Sequence, residues 1–211
     1  MNKDGQFYIT KAKNTGGLIN IETVSEQILY EMGDPKMYIS PDVCVDFTSF
    51  NLIDKGDNKV KIKNAKGFNP TDTYKVSISY FAGFKSSGQL TISGPDALDK
   101  AKLTAEIIWK RLSNAGITFD DTSTEYLGIS SCHGEINPIP DQINEVVLRL
   151  SVKDFNKDNV IRFGMEISPV ITSGPPGITG YSSGRPKPQE IIAYWPALIP
   201  KNLVKTEVNV V

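Results

Sequence analysis

The spacing of apolar and polar residues changes several times along the chain, and each change marks an element. Phe7-Tyr8-Ile9-Thr10 reads as a short strand. Asn14-Thr15-Gly16-Gly17 follows as a turn, because adjacent glycines reach backbone conformations closed to other residues. Thr23 with Glu26 three residues on has the form of a capping box, and Val24, Ile28 and Met32 then recur at helical spacing until Gly33 and Pro35. The pattern predicts a short, one-sided helix. Residues 43–52 and 59–63 fit two strands around Gly56-Asp57-Asn58; Val60 and Ile62 alternate with lysines, which puts the lysines on the wet face. Tyr74, Val76, Ile78 and Tyr80 alternate with polar residues, and Leu90 and Ile92 repeat the pattern beyond Ser87-Gly88, predicting a second hairpin with its turn there.

The longest helical stripe joins Leu98, Ala101, Ala105, Ile108, Trp109 and Leu112, with Ser93 and Asp96 as its capping box, Pro95 in the first turn and Gly116 as its stop. Residues 126–131 and 146–152 follow as strands, and residues 160–167 as a helix ended by Pro169. From 173 to 188, interleaved glycines and prolines break every period, so an irregular loop is expected. Residues 191–195 and 203–210 close the chain as strands. The sum is an α+β or α/β fold in one domain over residues 1–211, a mixed or antiparallel sheet built from hairpins with about three helices packed on it.

Composition narrows the function classes. The chain has 211 residues, 39% of them hydrophobic, and a net charge of -1, so it lacks the basic excess of a nonspecific nucleic-acid binder. No stretch approaches the roughly 20 apolar residues that span a bilayer, and the first residues lack a signal-peptide pattern. The expectation is a cytoplasmic protein with no membrane and no nucleic-acid partner. Cys44 and Cys132 lie far apart with no CxxC or Cys/His ladder, which supports neither a disulfide framework nor a metal site.

His133 is the sole histidine and the first candidate for general acid or base chemistry. If the preceding strand continued through it, Cys132 and His133 would face opposite ways, and any partner would come from elsewhere; lone histidines are more often structural or solvated. The Gly/Pro loop is the stronger feature. Gly174 and Gly177 would let a ligand approach the backbone, and Arg185 with Lys187 would meet a phosphate or carboxylate; the same composition also suits a packed loop that simply covers a sheet edge. Gly16 and Gly17 offer amides to an anion in the same way, with a tight turn as the commoner role.

Several segments in order carry a resemblance. Phe7 through Ala12, Asn14 through Gly17, Glu22-Thr23-Val24 with Gln27, Leu29, Tyr30 and Glu31, and Tyr38 through Val43 form its first part. Leu98 with Ala105-Glu106, Thr172 through Gly177, Thr179-Gly180-Tyr181, Gly184-Arg185-Pro186, Ala193 through Pro196 and Leu198-Ile199-Pro200 extend it over nearly the whole chain. Together they resemble the acyclic terpene utilisation protein family. The resemblance implies a subunit or domain of an enzyme of branched-chain or terpenoid carboxylic acid catabolism. Its ligand would be a small carboxylate or acyl-CoA, with coenzyme A entering only as part of the substrate and no other cofactor identified. It transfers no catalytic residue. The expected site joins His133 as the catalytic group with Gly16, Gly17, Gly174, Gly177, Tyr181 and Arg185 around the substrate. The match covers the second half of the family's conserved core, so a protein partner resembling the first half, or a homo-oligomer, is expected; the contrary class is a noncatalytic assembly module.

Overall fold

A computed structural model describes residues 3, 5–129, 131–136, 138–180 and 184–209. The chain divides into two compact units, one of Met1–Val76 with Pro196–Val211 and one of Ser77–Trp195.

In the first unit, strands β1 (Phe7–Thr10), β4 (Asn51–Asp54) and β5 (Lys59–Lys63) form an antiparallel sheet in the order β1-β5-β4. Alternation on β5 turns Val60 and Ile62 inward, where they bury with Val24 of helix α1 (Ile21–Ile28) against Phe7, Ile9 and Leu52. Thr23 does not cap the helix. Asn20 caps α1, its side chain accepting from the Thr23 amide at 2.9 Å while the Thr23 hydroxyl accepts from the Asn20 amide at 3.1 Å. Thr23 is thus the third helical residue of the box, and Glu26 takes no part in it. Strands β2 (Tyr38–Ile39), β3 (Cys44–Asp46) and β6 (Lys66–Phe68) make a second small sheet. The strand expected over 43–52 is interrupted by a 3-10 turn at Phe47–Ser49, because the Asp46 carboxylate accepts from the Thr48 amide at 2.9 Å and folds the chain locally.

The second unit is built on a sheet of order β10-β7-β9-β8, from β7 (Thr73–Ser93, beginning in the first unit's residues), β8 (Asp121–Leu127), β9 (Glu145–Asp154) and β10 (Ile178–Gly180), with β11 (Gln189–Pro200) also paired to β7. Helices α2 (Ala97–Asn114) and α3 (Lys157–Ile167) cover one face. Val146, Leu148, Leu150 and Val152 of β9 alternate into a core shared with Ile108 and Leu112 of α2 and Val160 and Phe163 of α3. One arginine fastens the two helices over this core: buried Glu166 of α3 accepts from Arg111 of α2 at 2.5 Å, and within α3 it also accepts from Arg162 one turn back at 2.5 Å. Gly116 ends α2 as expected, at φ +73 with the Ile117 amide returning to the Leu112 carbonyl at 3.1 Å.

Several expectations fail here for identifiable reasons. No turn occurs at Ser87-Gly88: β7 runs straight through, pairing Ser87 with Ser151 and Gly88 with Leu150. Gly88 is small because a Cβ there would lie 2.9 Å from Ile167 Cγ1 and 3.1 Å from Pro186 Cγ. Ser93 is not a cap but the last residue of β7, and Asp96 precedes α2 in the left-handed region with no side-chain cap bond. The strand expected over 126–131 lies earlier, at β8. Pro169 does stop the helix expected over 160–167, since α3 ends at Ile167; the difference is that Pro169 also opens a short helix α4 (Pro169–Ser173), where its missing N–H costs nothing. The loop 173–188 contains β10, which pairs Ile178 with Ile92. Residues 203–210 form no strand among the described residues: a 3-10 turn at Lys201–Leu203 is followed by irregular chain. The architecture is α+β, antiparallel sheets with helices packed on them.

Candidate functional site

The residue pattern gives the end of β7 and the start of α2 a sharp corner, and the chain leading into β9 is held beside it. The Gly94 amide donates to the Asn144 carbonyl at 2.6 Å, and the Ser93 amide and hydroxyl donate to the Gly177 carbonyl at 2.9 and 3.2 Å. Between residues 93–99 and 139–144 lies an open pocket of about 680 Å³. Its lining mixes apolar Leu98, Ile139, Pro140 and Ile143 with Ser93, Asp96, Asp99, Asp141, Gln142 and Asn144. The Asp96 side chain makes no cap bond to the first amides of α2, and no other side chain accepts from them among the described residues, so the positive end of an eighteen-residue helix lies at the pocket. Asp96, Asp99 and Asp141 each oppose an anion there; Asp99 is exposed and lies 3.9 Å from Lys102. Lys100 holds the neighbouring loop through the Pro176 carbonyl at 3.2 Å.

The residues singled out from the sequence fall in several places. Gly177 touches the pocket wall: it sits at φ +86, its carbonyl bonds Ser93, and a Cβ would lie 2.5 Å from Ser93 Oγ. Gly174 ends α4, its amide donating to Val170 O at 2.9 Å and leaving no room for a side chain. Both glycines therefore have close-packing reasons to be glycine. Arg185 is exposed beside Pro186, whose ring and carbonyl fill the space left by Gly88 and Gly164. His133 is exposed in the turns after β8, and its side chain has no hydrogen-bond or ion-pair partner among the described residues. Neither His133 nor Arg185 lines the pocket. Tyr181 lies outside the described residues. Gly16 and Gly17 belong to the first unit, in exposed chain four or more residues ahead of α1, whose start Asn20 already caps.

Reading the sequence alone missed the segment 139–144 and the corner at 93–99 as a pair. Among the described residues no cluster of three or more His, Cys, Asp or Glu side chains is placed to hold a metal, and no helix is long and apolar enough to cross a membrane. Cys44 is buried and Cys132 exposed, both as free thiols.

No curated protein and no solved structure matches the chain. The family model described as "Acyclic terpene utilisation family protein AtuA" matches residues 1–210. The chain therefore belongs to the acyclic terpene utilisation family, which ties it to the use of acyclic terpenes.

Proposed function

We propose that the chain is a subunit or domain of a cytoplasmic enzyme of branched-chain or terpenoid carboxylic acid catabolism, and that the pocket at the start of α2 receives the substrate as free acid or CoA thioester. The observation that carries this reading is the start of α2, free of a side-chain cap bond from Asp96, in a pocket whose mixed lining includes Leu98, Ile139 and Ile143. The helix amides suit a carboxyl or thioester oxygen, and Leu98, Ile139 and Ile143 suit the branched chain attached to it. Family membership supports the same substrate class. The test is calorimetric titration of a branched acyclic terpenoid acid and its CoA thioester. Ile139 is 56% exposed, so Ile139→Asp leaves the core intact while placing a charge against the apolar chain, and a weakening of about tenfold or more is expected. Equal binding by this variant would reject the pocket. Arg185→Ala, titrated alongside, weakens binding only if the loop arginine reaches the substrate's anionic end.

A second reading, a noncatalytic assembly module that completes a partner chain, draws on exposed apolar surface. Leu103, Ile107 and Trp109 line a shallow groove on α2, and Ile192 and Trp195 of β11 are each 62% exposed. Light scattering across a concentration series, with and without a chain resembling the first half of the family core, separates the two: unaided turnover by a monomer excludes the module.

A further inference from the structure

The first unit presents a face that neither reading uses. Register places Tyr8 opposite Lys61 and Thr10 opposite Lys59, with Asn51 and Ile53 of β4 opposite Lys63 and Lys61. These side chains share the face of the β1-β5-β4 sheet turned away from Val60 and Ile62. Three of them are lysines and none is a carboxylate. Successive ammonium stems stand about 7 Å apart along β5, and none of the three lysines has an ion-pair partner among the described residues. Two of the charges are gathered on one ring: Lys59 Nζ lies 4.6 Å and Lys61 Nζ 5.9 Å from the Tyr8 centroid. The ring quadrupole attracts each ammonium, yet the two ammoniums repel each other, and a multiply charged anion placed between them would relieve that repulsion.

We propose that this face is a docking site for a soluble diphosphate ester, with Lys59 and Lys61 on its phosphates and Lys63 extending the cationic row. Charge complementarity selects the ligand class: lysine meets phosphate as a point charge, and a row of ammoniums favours several adjacent negative oxygens over a single carboxylate. A lipid surface fits less well. Tyr8 is the exposed large apolar residue on this face and its ring already carries two ammoniums, while Ile53 is half-buried, so the face offers no exposed apolar side chain free to enter a bilayer. The site stands apart from the α2 pocket and does not depend on it.

The experiment is calorimetric titration of the full chain with inorganic pyrophosphate and with ADP at low salt. The lysines lie on the outer face, so Lys59→Gln with Lys61→Gln preserves the fold, checked by circular dichroism, and should weaken binding by about tenfold or more. Tyr8→Leu should weaken it a few-fold by releasing the two ammoniums, and added salt should weaken the wild type. Lys110→Gln, on α2, should leave it unchanged. Wild-type chain that fails to bind pyrophosphate at millimolar concentration, or a double variant that binds as tightly as wild type, overturns the proposal. Adherence to phosphatidylserine vesicles or to polyglutamate that pyrophosphate does not displace overturns it too, in favour of a membrane or an acidic peptide. Terpenoid-acid titration of the double variant is a separate readout: it tests the pocket, whatever the lysine face does.

Discussion

Arg149 and Glu125 meet across adjacent strands through two hydrogen bonds, Nε to Oε2 at 2.6 Å and Nη2 to Oε1 at 2.7 Å. They lie on the sheet face opposite α2 and α3, where Ser151 also donates to Ser87 at 3.0 Å. The Arg149 hydrogen bond holds the Glu125 carboxyl below its ordinary value of 4.5, and the same bond raises the guanidinium. A carboxyl whose folded value is depressed adds stability above its unfolded value, and that contribution is lost as pH falls through the folded one. Urea denaturation of Glu125→Gln at a series of pH values should therefore show a flatter loss of stability below about pH 4.5 than wild type. Matching acid limbs would mean that the pair, half-buried as it is, contributes nothing measurable. Within the strand expected over 146–152, Arg149 alternates with Leu148 and Leu150 and so reads as an outward position, but its partner lies 24 residues away, a separation no local pattern encodes.

At the scale of elements, the loop after β10 is fixed by a slot rather than by its own sequence. Gly88 of β7 and Gly164 of α3 leave the space that Pro186 fills, and a Cβ on Gly164 would collide with the Pro186 carbonyl. Alanine favours a helix interior over glycine by about 1 kcal/mol, so Gly164→Ala would stabilise α3 if packing were indifferent. With the collision, a net loss of about 1–3 kcal/mol is expected from overpacking, measured by chemical denaturation; a variant more stable than wild type would show that the loop does not dock there. The same slot explains how Gly88 misleads. Ser-Gly is an ordinary turn signal, and only α3 packed over the strand reveals a glycine chosen for close approach. Where one pattern dominates, the sequence was legible: β9 alternates over its whole length, and α2 carries a full stripe with a glycine stop. The start of α2 was not, because Ser93 bonds to Gly177, a residue 84 positions later, and so serves the sheet rather than the helix.

On the scale of the whole molecule, what was legible of the site was its parts, not their assembly. Glycines and arginine in the loop stood out, whereas the pocket needs residues 93–99 and 139–144 held together by a bond from Gly94 to Asn144. The lysine alternation on β5 was visible, but the ring that gathers two of its charges comes from β1, 51 and 53 positions earlier in the chain. The two units also differ in what holds each together. Among the described residues the first unit's core cluster has three buried apolar side chains, Val24, Val60 and Ile62, while the second unit's has sixteen around β9, α2 and α3. Apolar burial contributes roughly 25 cal/mol per Å², so opening the first unit's sheet costs far less than opening the second. Native-state hydrogen exchange should then find the Val60 and Ile62 amides exchanging through a partial opening, while those of Leu148 and Leu150 exchange only near global unfolding. Val60→Ala, which removes two buried methyl groups and costs about 1–3 kcal/mol, should speed exchange throughout β1, β4 and β5 and leave β9 unchanged. Equal protection in β5 and β9, falling together in the variant, would instead make the chain a single cooperative unit in which the small core is as secure as the large one.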